Sequence, residues 1–269
     1  MISRNASLLL LLALTVLVAL TTVLLPPIPQ PQSYHLFADQ RSLLGISHFA
    51  DVTSNFPFAV VGTCGLIFLF RRHVGATPRF IDPRERWPYV LVFVGVFLTA
   101  FGSSYYHWSP SNARLVWDRL PMTIAFMSMV AAVIAERISL RLGLWLLPIL
   151  LLFGLGSVLQ WYISETRGEG DLRFYAAVQL YSALVLLLAL LFPPSYTRRS
   201  DLAVVVGFYA LAKVLEALDK PIFSLGRVVS GHTLKHLAAA TAAYWIVRML
   251  QKRRPVLPSA SRSLSNSQL

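Results

Sequence analysis

Tyr89–His107 reads YVLVFVGVFLTAFGSSYYH, an apolar run that turns polar only in its last two turns. As a helix, a run of this length covers about 28 Å. That is close to the roughly 30 Å hydrocarbon layer of a bilayer. A helix satisfies all of its own backbone donors and acceptors, which lipid cannot do, so the run reads as a membrane-spanning helix.

Working outward, similar runs lie near 7–25, 46–70, 117–136, 143–161, 172–192, 201–219 and 232–250. With 89–107 they make eight candidate spans. The breaks are marked by Pro26-Pro27-Ile28-Pro29-Gln30-Pro31, by the basic stretch from Arg71 to Pro88, by Pro193-Pro194 and by Pro221. The expected fold class is all-α: a polytopic membrane helix bundle, with a seven-helix core and one extra N-terminal transmembrane helix. The expected divisions are residues 1–30 for the extra helix, 31–251 for the core and 252–269 for a disordered, basic and serine-rich cytoplasmic tail. The first span is read as retained. A signal peptide would have a shorter apolar core and a small-residue cleavage site where this chain has its proline run.

Composition agrees. Hydrophobic residues make up 56% of the 269-residue chain and charged residues 13%, about half the charged share of a soluble domain. Mean hydropathy is +0.61. The net charge of +12 does not point to a nucleic-acid partner, because the basic residues sit in short loops between apolar spans. Cys64 is the one cysteine, so no disulfide framework or cysteine metal site is available. Fourteen Lys and Arg fall in one set of loops and seven in the alternate set. Both termini are therefore expected in the cytoplasm. Charge counting also places His107, at the end of the third span, on the outer side. Asp118, at the start of the fourth, and His232 and His236, at the start of the eighth, join it there.

Ionisable side chains inside a membrane are costly and mark a functional site by default. His232 and His236 are four apart and share a helix face, as do Ser103 and His107. Two imidazoles at that spacing can chelate one zinc ion, and three with an open position form the donor set of a catalytic zinc site. A water in the open position would have its pKa lowered toward about 7. Asp118 would accept its proton, and Ser103 would donate to a carbonyl oxygen. Plainer readings stand beside these. A membrane histidine can bond helix to helix, Asp118 can answer a helix dipole, and Ser103 can bond back to its own helix. Lys213, Glu216 and Asp219 form a charged stripe on the seventh span. It reads as an ion pair between Lys213 and Glu216, or as support in which Glu216 or Asp219 orients a ligand histidine. Lys235 is expected to extend toward the outer headgroups, and Lys252-Arg253-Arg254 to bind the anionic inner surface. His35, His48 and His73 carry no assignment.

At these residues the chain resembles the alkaline ceramidase family. Gly102-Ser103-Ser104-Tyr105-Tyr106-His107, then Trp117-Asp118-Arg119-Leu120-Pro121-Met122, is similar to its G-S-x-x-x-H and D-x-L-P-M motifs. Gly231-His232-Thr233-Leu234-Lys235-His236 is similar to its final H-x-x-x-H. Asp51-Val52-Thr53-Ser54-Asn55-Phe56-Pro57-Phe58 resembles the Ser-Asn segment of its first core helix. The resemblance covers roughly residues 35–250. It extends to a wider group of seven-helix intramembrane zinc hydrolases that includes adiponectin-receptor-like proteins. It implies one Zn2+ per chain on His107, His232 and His236, with Ser103 and Asp118 as catalytic partners. It also implies hydrolysis of an N-acyl (sphingo)lipid, drawn from the bilayer, to a fatty acid and an amine.

The family's acidic calcium segment, D-W-x-E-x-N, is replaced by Phe37-Ala38-Asp39-Gln40-Arg41-Ser42, whose single acid argues against Ca2+. In this the chain looks more like the bacterial branch, which implies a bacterial inner membrane with the site on its extracytoplasmic side. Two rival functions remain at this point. One is a non-catalytic receptor or scaffold with a structural zinc. The other is a proton-coupled transporter, for which inverted repeats would be the sign, and none is visible.

Overall fold

The computed structural model describes residues 2–71 and 79–256. His73 and Arg72, and the tail from residue 257 on, lie outside the described residues. The helices are α1 (Arg4–Leu24), α2 (Phe49–Thr53), α3 (Phe56–Phe70), α4 (Arg86–Trp108), α5 (Asn112–Arg137), α6 (Leu140–Thr166), α7 (Arg173–Ala189), α8 (Asp201–Ala217), α9 (Asp219–Gly226) and α10 (Gly231–Lys252). Among the described residues there is no β-strand beyond two isolated bridges. The fold is an all-α bundle. Five spans are long and apolar enough to cross a membrane: Arg4–Leu24, Phe49–Phe70, Pro83–Trp108, Asn112–Arg137 and Leu140–Thr166. They mark the chain as a membrane protein. The remaining expected spans are helices too, but α7 and α8 have 17 residues each, and α10 carries His232, Lys235 and His236 in its first turns.

One expected span, 46–70, is interrupted and another, 201–219, ends, for one reason. Proline lacks an N–H and its ring collides with the carbonyl four residues back. Pro57 stands four residues after Thr53, where α2 stops, and Pro221 four after Ala217, where α8 stops. In each case the proline falls within the first turn of the next helix, where it is tolerated. Hydropathy reads α2 and α3 as the single span 46–70, whereas the expected seventh span, 201–219, already stops before Pro221 and α9 lies beyond it. The charged stripe is cut as well, since Asp219 opens α9 while Lys213 and Glu216 stay on α8.

The centre of the bundle is α4 and α5. Pro121 lies inside α5 and cannot donate to the carbonyl of Trp117. That carbonyl points at Gly102 of α4, where an added Cβ would sit 1.9 Å from its oxygen. The missing N–H on one helix and the missing side chain on the other bring α4 and α5 into backbone contact, and so bring Ser103 beside Asp118. Gly102→Ala is expected to cost roughly 1–3 kcal/mol by overpacking. Thermal melting in detergent checks this against Gly156→Ala, whose Cβ would meet open space. Equal melting temperatures for the two would overturn the expectation.

The N-terminal helix α1 packs on α7, where Thr15 Oγ1 and Tyr181 OH are 2.9 Å apart. Its other faces expose Leu9, Leu17 and Val23, as a lipid-facing helix does. The chain then crosses the end of the bundle as a strap. Ile28 O accepts from Leu172 N (2.8 Å) and Gln30 N donates to Glu165 Oε1 (2.7 Å). Ala38 N donates to Asp219 Oδ2 (2.9 Å) and Arg41 Nη2 to Val228 O (2.8 Å). Arg41 also grips Asp39 at Oδ1 (2.8 Å) and Oδ2 (2.6 Å). These bonds hold the Asp39 carboxyl below its ordinary pKa.

At the opposite end Arg253 is buried, pairs with Glu136 at 2.5 Å and stacks over Tyr196 at 3.9 Å. It is therefore a structural tie. Lys252 and Arg254 remain exposed for the lipid surface. The tail does not begin at 252, because Thr197 N bonds Arg254 O and Val256 N bonds Ser195 O, both at 2.9 Å.

Candidate metal centre and its surroundings

Three helix termini meet under the strap. Helix α4 delivers Ser103 and His107 in its last turns. After the short loop at 109–111, the Ser111 side chain caps α5 by accepting from Arg114 N at 3.3 Å. Asp118 therefore lies nearly two turns inside α5, and it is buried. Ser230 caps α10 by accepting from Thr233 N at 2.9 Å. This places His232 in the first turn and His236 in the second. Gly231 lets that first turn lie against α8, since a Cβ there would be 2.3 Å from Leu215 O.

His107, His232 and His236 are all buried and offer one nitrogen each within 4.8 Å of one another. The rings are 4.7, 4.9 and 4.9 Å apart between centroids. His107 Nε2 and His232 Nε2 face each other at 3.3 Å. Nitrogens about 2.0–2.1 Å from a shared tetrahedral ion stand roughly 3.3–3.4 Å apart. Facing lone pairs repel unless they share a proton or a cation, and His107 Nδ1 is buried with no partner among the described residues. The three residues can hold a metal ion, and their geometry and donor type fit a divalent one.

One ligand ring is oriented from α2. The Ser54 hydroxyl donates to Asp51 O (2.9 Å), so it accepts from His236 Nδ1 at 2.7 Å. This leaves His236 Nε2 as the free acceptor. The Asp51 carboxylate is buried and takes Thr233 Oγ1 (2.7 Å) and Ser230 Oγ (3.1 Å), tying α2 to the start of α10. Reading the sequence assigned no role to Ser54 or Asp51. The signal for Asp51 was a carboxylate within an apolar span.

Asp118 and Ser103 lie near each other across the α4–α5 contact and line one cavity. With Lys235 and His236 they form the polar end of a cavity of about 170 Å³. Its remaining wall is largely apolar and includes Val96, Met122, Met129, Leu186 and Ile246. All five expected site residues thus gather at one place.

The charged stripe acts on the frame rather than on a ligand ring. Asp219 Oδ1 accepts the backbone N–H of His232 at 2.8 Å. Glu216 accepts from Tyr34 OH (3.3 Å) and pairs with Lys235 (2.6 Å) and with Lys213. Lys235 does not extend outward. It turns inward to Glu216, and its Nζ lies 3.2 Å from His232 Nε2. The reason is local: Glu216 on α8 offers a carboxylate within ion-pair distance.

On the strap, Phe37 lies 4.6 Å from both the His107 and His232 rings and closes the cluster from above. His35 is a structural pin between Tyr106 OH and Asn112 Oδ1, each at 2.9 Å. His48 packs edge-on to Phe37 at 5.7 Å. Comparison of the chain with protein-family models and with curated proteins finds no match.

Proposed function

We propose that the chain is an integral membrane, zinc-dependent hydrolase that cleaves an N-acyl lipid to a free fatty acid and an amine, as the alkaline ceramidases it resembles do. One observation carries the reading. Three buried histidines cluster beside an apolar cavity in a membrane bundle, and one of them, His236, shares the polar end of that cavity with Asp118 and Ser103. A pocket of that character suits an acyl chain, and each methylene buried there would contribute about 0.8 kcal/mol at most.

His107, His232 and His236 would hold the metal. A bound zinc supplies Lewis acidity and makes water a nucleophile near neutral pH. Asp118 takes the proton from the attacking water. Ser103 donates its hydroxyl proton in a hydrogen bond to the carbonyl oxygen, where negative charge develops. As the new C–O bond forms and the amide C–N bond breaks, Asp118 passes its proton to the departing nitrogen. Ser103 and Asp118 line the same end of the cavity, so both can act on one substrate carbon. Ser54 keeps His236 in the tautomer a cation needs. The test is fatty-acid release by the zinc-loaded protein from N-acyl sphingoid bases, N-acyl amino acids and N-acyl ethanolamines in detergent. No release from any of them would overturn the hydrolase reading in favour of a metal-stabilised scaffold.

The same reading places both termini in the cytoplasm of an inner-membrane protein, with the site outside. It is supported by the fourteen-to-seven distribution of basic residues. A reporter active only in the cytoplasm should work when fused after Arg254. In a Cys64→Ser background, Ala113→Cys should react with an impermeant thiol reagent in whole cells. A silent fusion together with a protected cysteine would show the opposite orientation.

A further inference from the structure

The histidine cluster lies in the wall between two cavities of opposite character. His236 faces the apolar cavity of about 170 Å³, together with Ser103 and Asp118. His232 faces a vestibule of about 290 Å³ between the strap and the α8–α9 corner, whose lining includes Ser33, Tyr34, Glu216, Asp219 and Lys220. The ion pair of Lys235 and Glu216, at 2.6 Å, is the partition: Lys235 lines the first space and Glu216 the second. A bond held at the cluster must therefore send one substituent to each side.

The apolar side takes the acyl chain. Its volume is below the roughly 300–1,000 Å³ usual for ligand pockets, so it holds one slender chain. The vestibule does not suit a second one. Laying hydrocarbon against Glu216, Asp219 and Lys220 would strip water from charged groups with no compensating bond. It does suit hydrogen-bond donors. Each Asp219 oxygen accepts one main-chain N–H and keeps a lone pair. An anionic head would meet two carboxylates, while Lys220, the one cation among these lining residues, is exposed at the mouth.

We infer that the amine half of the substrate is a compact hydrogen-bond donor of the amino-alcohol class, seated in this vestibule, and that the substrate carries a single long chain. The inference rests on the hydrolase reading and narrows it, since a two-chain ceramide would then be a poor substrate. Bond cleavage would leave the fatty acid in the apolar cavity and the amine, protonated in water, beside Glu216 and Asp219.

The experiment compares N-oleoylethanolamine, N-oleoylglycine and N-oleoylsphingosine as substrates of the zinc-loaded protein. It also measures binding of N-oleoylethanolamine to the Asp118→Asn protein, with and without Ala217→Trp. Ala217 is an exposed vestibule residue at the end of α8, so its enlargement narrows the vestibule and leaves the cluster alone. The ethanolamide should be preferred over both others by on the order of tenfold or more, the scale on which one pocket rejects a misfit group. Ala217→Trp should weaken its binding by a similar factor with metal content and melting temperature unchanged. Ceramide or the glycine conjugate cleaved as fast as the ethanolamide would overturn the inference and leave the hydrolase reading standing. Binding indifferent to Ala217→Trp would also overturn it. Binding that is sensitive to Ala217→Trp, without cleavage of anything by the wild type, would support the vestibule and remove the hydrolase.

Discussion

Purified His232→Ala protein should lose most of its metal, and so should His107→Ala and His236→Ala. The three imidazoles are buried and converge on one point, and no other group of three or more ligating side chains occurs among the described residues. A fourth ligand is therefore not at hand to replace a lost one. Removing a partner that merely orients a ligand costs roughly 10–100-fold in affinity. That is the expectation for Ser54→Ala, which frees the His236 ring. Loss of a ligand itself should exceed it. Elemental analysis on folded protein, checked by circular dichroism, measures both. Full occupancy in the His232→Ala/His236→Ala double variant would sink the metal centre.

Asp118→Asn should keep the fold and the metal and lose turnover by on the order of 10²–10⁴-fold, the usual contribution of a general base. At about 1.4 kcal/mol per factor of ten, this is roughly 3–5 kcal/mol of barrier. The amide is nearly isosteric with the carboxylate, so packing at this buried position is preserved. What it cannot do is take up a proton. Ser103→Ala should cost less, about 10–10³-fold, because Ser103 is one of several groups acting on the carbonyl oxygen. Single-turnover rates with matched zinc content separate the two losses from metal loss. Equal rates for wild type and Asp118→Asn would remove Asp118 from the chemistry.

Much of the site is legible in the sequence. A histidine in a hydrocarbon layer has few reasons to be there. Four-residue spacing fixes a shared helix face, and loop charge fixes which ends of the helices lie together. His107, Asp118, His232 and His236 needed nothing more to be placed at one end of the bundle. Their role as a catalytic set is read from the chemistry of their side chains and from motif resemblance.

By itself, the sequence determined that the chain is a helical membrane bundle, where its principal helices lie, and which ionisable residues share an end. Each of these follows from the length of apolar runs, from helical period and from the charge of the loops. Only the tertiary structure decided partners. Ser54 reaches His236 because Pro57 breaks a span that hydropathy reads as continuous. Lys235 turns inward because α8 brings the Glu216 carboxylate to 2.6 Å from its ammonium. Arg253 is buried at Glu136 although its neighbours in sequence are exposed. Hydropathy sums residues along a segment. A partner depends on how each helix is rotated and how closely it approaches the next, and those are set by contacts such as Gly102 on the Trp117 carbonyl, between residues far apart in the chain.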